Sequence, residues 1–143
     1  MLERTKESDI FDTVLMPVNV LDASWYSFTE NVMPEAMARN MGVTSIKSLA
    51  DGRFFAKKEQ ANWTSDDPVI PNYLSIKDAM YYVWSLPVSV LISGNENATF
   101  MREKIALARS FSKLTEEQRL ALVNKVKNIA LEGKVEYFKK KEI

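Results

Sequence analysis

The sequence predicts an α/β fold with parallel strands. Short β-branched runs such as "TVLM" and "VSVLIS" alternate with longer stretches whose apolar residues recur at helical spacing. The intervals between the runs are filled by those helical patterns, as crossovers between parallel strands require. A chain of 143 residues that is 46% apolar and 10% aromatic has enough material for one core, so a single domain is expected.

The first strand candidate is Phe11 to Val20, with Pro17 either confining it to the early residues or marking a bulge at its end. A helix is expected over Ser27 to Arg39, with Phe28, Val32 and Ala36 on one face, Met37 a further candidate, and Gly42 shortly after its end. The second strand is expected over Gly42 to Leu49. Residues 56 to 73, with Pro68 and Pro71, are the one long irregular segment, a kind that often borders ligand sites in α/β folds. Ser75 and Asp78 stand at capping-box spacing and open a helix to Ser85 that Pro87 stops, burying Ala79, Met80, Val83 and Trp84. Val88 to Ser93 is the third strand candidate. Asn97 caps a helix to Ala108, and Arg109 to Ser112 is a short fourth strand candidate. Thr115 with Gln118 caps the last helix, whose Leu122, Val126 and Ile129 share a face before Gly133 ends it.

Composition excludes several chemistries. Nineteen Lys and Arg residues balance nineteen Asp and Glu residues, which removes the electrostatic case for a nucleic-acid partner or an anionic membrane. Only Lys139-Lys140-Lys141 is locally basic, and a solvated terminus accounts for it. There is no run of about 18 apolar residues and no apolar signal core at the N-terminus, so a cytoplasmic location is expected. Without cysteine there is no disulfide, thiolate metal site or cysteine nucleophile. Without histidine there is no Ser-His-Asp system, and any general acid must be a carboxylic acid, Lys or Tyr. The sequons at Asn62 and Asn97 read as loop and helix-cap chemistry.

In a parallel α/β sheet ligands bind where strands end and helices begin. Three segments meet that description: Leu15 to Asp22, the Lys47 to Arg53 turn, and Ser93 to Asn97. Gly52 either forms a plain turn or admits close backbone approach by an anion, with Arg53 beside it. The "SGNEN" stretch is either a tight turn with an Asn cap or an anion site at a helix N-terminus. Lys47 either pairs with a phosphate or ligand carboxylate or forms a salt bridge to a neighbouring acid; Asp22, Asp51 and Glu96 are the acids nearest the strand ends. Trp25, Tyr26, Phe54 and Phe55 line an apolar pocket or anchor core and loops.

Phe11-Asp12 with Asn19, Val32-Met33-Pro34 with Ala36, Gly42-Val43, Lys47 with Leu49 and Gly52, Pro87-Val88-Ser89-Val90, and Ser93-Gly94 fall in an order and spacing that resembles the C-terminal half of an aldo/keto reductase, from about Ile10 to Lys139. The resemblance implies a partial TIM (β/α)8 barrel comprising roughly its last four β/α units, with residues 1–143 forming a single C-terminal half-barrel. The three main strand candidates would be the fifth to seventh of the barrel, and a short eighth would lie near Phe111. It implies a nicotinamide cofactor, NADP or NAD, and a small carbonyl substrate in the complete enzyme. The cofactor-binding residues so implied are Asn19, Lys47, Ser48, Leu49, Gly52, Ser93, Gly94, Asn95 and Lys104. Ser48 to Gly52 would face the pyrophosphate and Ser93 to Lys104 the adenosine end. The family's catalytic tetrad lies on the first four strands, so no catalytic or metal-binding residue is expected here.

Three positions depart from the family pattern. Leu15 stands where a glutamine commonly binds the carboxamide, Asn95 and Glu96 where a basic residue often pairs with the ribose phosphate, and Lys104 where an asparagine often contacts adenine. A complete barrel needs about 250 residues. The chain is therefore expected to be a fragment of a reductase, or a half-barrel that pairs with the missing N-terminal half or a second copy. Val14, Val43, Ile46, Val90 and Ile92 are its expected uncovered inner face. The alternatives are a noncatalytic interaction protein that uses exposed strand edges and a stand-alone small-ligand binder.

Overall fold

Three strands, β1 (Thr13–Pro17), β2 (Gly42–Ile46) and β3 (Val90–Leu91), form one parallel sheet in the order β1-β2-β3. The computed structural model describes residues 10–52, 73–95, 97–133 and 135–139. Each strand is shorter than the sequence pattern suggests, for local reasons. Pro17 closes β1, having no N–H to continue the ladder, although Val18 N–H still reaches Ile46 O at 3.0 Å. Lys47 has a φ of 54°, which takes the chain out of extended conformation after Ile46. Around β3, Ser89 N–H bonds Val43 O at 2.8 Å and Ile92 N–H bonds Ser45 O at 2.9 Å, so pairing extends one residue beyond each strand end.

The helix expected over Ser27 to Arg39 is broken into α1 (Phe28–Asn31) and α2 (Met33–Ala38) at Val32. Pro34 cannot donate to the preceding turn, so the first helix ends and a new one begins around it. Met33 and Ala36 are buried, while Met37 is exposed and does not join the core. The later caps hold as the sequence suggests. Helix α3 (Ile76–Trp84) opens with the Ser75/Asp78 capping box, and α5 (Glu116–Ala130) with the Thr115/Gln118 box. Helix α4 (Ala98–Arg109) is capped by Asn97, whose Oδ1 accepts from Phe100 N–H at 3.0 Å.

Residues 109–112 are not a strand. Arg109 is the last residue of α4, Ser110 N–H bonds back to Ala106 O, and Phe111 N–H bonds Ala108 O. The segment is held by an aromatic cluster: Tyr81 and Trp84 meet Phe111 at 5.3 and 5.6 Å, and Tyr81 O–H donates to Ser110 O at 2.7 Å.

The parallel register puts Val14 beside Val43, Met16 beside Ser45 and Leu91, and Leu15 beside Thr44 and Val90. Because side chains alternate, these pairs sort the sheet into two faces. One carries Val14, Met16, Val18 and Val43, which pack in one core with Ala36, Met80, Val83, Leu122 and Val126 of the helices. The other carries Leu15, Val90 and Ile92, which remain 58%, 52% and 50% exposed. The inner face expected from sequence thus mixed two faces: Val14 and Val43 belong to the helix-covered side, because they share its strand parity.

Candidate functional site

The exits of β2 and β3 enclose a cleft of about 250 Å³, lined by Lys47, Ser48, Leu49, Asp51, Gly52, Ile92, Ser93 and Gly94. Six of the residues implied by the family resemblance are in this lining: Lys47, Ser48, Leu49, Gly52, Ser93 and Gly94.

The turn after β2 is built from left-handed backbone. Lys47, Ala50, Asp51 and Gly52 have φ of 54°, 49°, 56° and 78°. Only Gly52 adopts this region without steric cost; each of the others opposes the turn by about 1–2 kcal/mol. Two backbone bonds close it, Ala50 N–H to Lys47 O at 2.8 Å and Gly52 N–H to Leu49 O at 2.9 Å.

Lys47 Nζ donates to Asp51 Oδ2 at 2.5 Å and lies 3.5 Å from Tyr137 Oη, with the Tyr137 and Phe138 rings at 5.4 and 5.2 Å. The salt-bridge role weighed for Lys47 is the one it adopts, with Asp51 as its partner. Burial pulls the lysine pKa down. The hydrogen bond and charge of Asp51, with the Tyr137 hydroxyl, outweigh that and hold it above its ordinary value of 10.5.

The β3 exit is looser. Among the described residues the Ser93 and Asn95 side chains hydrogen-bond near neighbours, Asn95 Nδ2 donating to Ser93 O at 3.3 Å. Lys104 Nζ donates to the Gly94 carbonyl, tying α4 to this turn. A Cβ built on Gly94 meets nothing within 4 Å, so the fold itself does not demand glycine there. Arg53, Phe54, Phe55 and Glu96 lie outside the described residues.

Asn19 is set apart from the cleft lining as a buried brace. Its Nδ2 donates to Lys47 O at 3.3 Å and to Glu136 Oε1 at 2.8 Å, while its Oδ1 accepts from Leu21 N–H at 2.8 Å and Asp22 N–H at 3.2 Å. Both donors and both lone pairs of the amide are thereby engaged within the chain. Trp25 and Tyr26 stack edge to face at 4.9 Å, with Tyr26 exposed.

Sequence reasoning missed the C-terminal part of this assembly. Lys139 is no solvated tail residue: its side chain is 2% exposed and its Nζ lies 2.6 Å from Asp22 Oδ1, 2.8 Å from Glu136 Oε2 and 2.9 Å from Trp25 O. The Glu136 contact is an ion pair without hydrogen-bond alignment. Asp22 Oδ1 also accepts from Phe28 N–H, and its Oδ2 from Thr29 N–H and the Ser27 and Thr29 hydroxyls, so one carboxylate starts α1 and anchors the C-terminal turn. Burial pushes the Glu136 carboxyl above its ordinary 4.5, against the pull of Lys139 and Asn19. Burial also pushes the Tyr82 phenol up to about 12, with the Asp22 charge adding to the effect. The one sequence signal for this cluster was the apolar, aromatic character of "VEYF" immediately before the lysines.

No family model, curated protein or solved structure matches the chain. Among the described residues, no group of three or more His, Cys, Asp or Glu side chains is placed to hold a metal ion, and no helix is long and apolar enough to cross a membrane.

Proposed function

We propose that the chain is the cofactor-binding C-terminal half of an aldo/keto reductase, a partial β/α barrel whose strand-end cleft takes the phosphate portion of NADP or NAD. One observation supports this reading above the others: Lys47, Ser48, Leu49, Gly52, Ser93 and Gly94, singled out by the resemblance, line one cleft at the ends of parallel strands. The donor set suits a phosphate segment, with two serine hydroxyls, two glycines that permit close backbone approach, and a lysine. Asp51 opposes an anion and must release Lys47 as one binds. A cleft of about 250 Å³ holds only part of a dinucleotide. The bound nicotinamide supplies hydride chemistry in the complete enzyme; the residues here hold and orient the nucleotide. A small carbonyl substrate and a cytoplasmic location go with this reading.

Calorimetric titration of the chain with NADPH, NADH and ADP-ribose tests it. Binding of at least one nucleotide is expected, weakened about tenfold or more by Gly94→Val, which fills space left for ligand backbone approach. Heat-free titrations with all three at millimolar concentration would overturn it.

A second reading has its own observation. Leu15, Val90 and Ile92 are half or more exposed on the sheet face that no described helix covers, and among the described residues β1 and β3 each pair on one side only. Such a surface suits a noncatalytic half-barrel that associates with the missing N-terminal half or a second copy. Light scattering on the eluting chain decides: a dimer that Leu15→Lys converts to monomer favours this reading, and a monomer at all concentrations removes self-association.

A further inference from the structure

The cleft and the C-terminal turn meet through one buried amide. Asn19 Nδ2 holds the Lys47 carbonyl with one proton and Glu136 Oε1 with the other. Lys47 is the residue at which β2 turns left-handed, so its carbonyl orientation sets the course of the chain through Ser48 to Gly52. Glu136 is in turn paired with Lys139, and Lys139 is fixed by Asp22 and the Trp25 carbonyl. On the other side of Lys47, its ammonium group lies against Tyr137 and Phe138 of the same C-terminal turn. The β2 exit is therefore gripped at its backbone by Asn19 and at its side chain by the strap.

From this geometry we infer that residues 135–139 are a strap whose seating sets the conformation of the Lys47–Gly52 turn, with Glu136 and Lys139 as positioning residues of the cleft. With the strap seated, Asn19 is pinned between two acceptors and presents a donor to the Lys47 carbonyl. With the strap lifted, Asn19 loses the acceptor that orients it, Asp22 loses its cationic partner, and the left-handed backbone at Lys47 and Ala50 loses what holds it against steric relaxation. The cleft then changes shape together with the strap. The nucleotide reading bears on this inference only through which ligand profits from the seated turn, and the test uses no ligand, so the two fail separately.

Amide hydrogen exchange on the full chain provides the test. In Glu136→Leu the amides of residues 47–52 should exchange about tenfold faster, the effect of losing one buried acceptor, while those of α3 stay unchanged. Glu136→Gln, which keeps an oxygen for Asn19, should restore slow exchange in the turn. Unchanged exchange at 47–52 in Glu136→Leu, or an equal rise in α3, overturns the inference, as does a failure of the glutamine to restore it. Should Glu136→Leu not fold, the unmodified chain still decides under mild denaturant. Residues 47–52 and 136–139 are expected to open as one unit with a common denaturant slope, below the stability of α3. Opening of the turn while the strap stays protected would refute the coupling.

Discussion

The exits of β2 and β3 face the same cleft but are built in opposite ways. The β2 exit runs through four residues with positive φ, three of them not glycine, and is held by a buried asparagine and a clasp of Asp22, Glu136 and Lys139. The β3 exit is exposed at Gly94 and Asn95, is tied mainly by Lys104, and leaves open space where a side chain on Gly94 would sit. The difference teaches that a conformation unfavourable to its own residues persists only where distant chain over-determines it. The first wall of the cleft is preorganised and the second is adaptable.

Substitutions can break that contrast, and their effects should descend in a set order. Lys139→Met leaves the Asp22 and Glu136 carboxylates buried without a cation and should cost about 3–5 kcal/mol in chemical denaturation, if the chain folds at all. A cost below that of an ordinary surface substitution would show that the clasp is not the anchor of the first wall. Asn19→Leu should cost about 1–3 kcal/mol, because the Lys47 carbonyl and the Leu21 and Asp22 amides lose a buried partner together.

The clasp also predicts a pH dependence. The folded-state pKa of Glu136 is raised above its ordinary 4.5, so between that pH and the raised value the folded chain binds more protons than the unfolded one. Its contribution to stability is therefore greatest below pH 4.5 and is lost as pH rises through the folded-state value. Urea unfolding of the wild type and of Glu136→Gln over that range should show the wild type losing stability relative to the variant as pH increases; a parallel pair of curves contradicts the assignment. At the small end, Gly94→Ala should change the unfolding free energy by less than about 0.5 kcal/mol, since the added Cβ meets open space. A larger loss would mean that the second wall is as constrained as the first.

What the sequence disclosed and what it concealed divide along the same line. The caps at Ser75, Asn97 and Thr115 were legible because each acts on an amide three residues away. The parallel strands, and the placement of Lys47 to Arg53 and Ser93 to Asn97 at strand ends, followed from the α/β pattern. The break at Val32 was legible in principle from Pro34, but helical spacing on both sides of it masked the interruption. The Arg109–Ser112 segment looked extended in sequence, yet α4 runs into it and Phe111 is taken by Tyr81 and Trp84. Lys139 was illegible because two of its partners, Asp22 and the Trp25 carbonyl, stand 117 and 114 residues away in sequence. A lysine in a basic tail gives no local sign that a buried carboxylate awaits it.

The measurement that bears most directly on the account is a backbone amide map of nucleotide binding. Titrating the isotope-labelled chain with ADP-ribose, followed by amide resonances, should shift Ser48 to Gly52 and Ser93 to Asn95 together on one saturable curve, leaving α5 unmoved. The shifts at the β3 exit should be the larger, since that wall is the one free to adapt to the ligand. Saturable shifts confined to α4 or α5, or no shift at either strand exit, would contradict the assignment of the cleft as the ligand site.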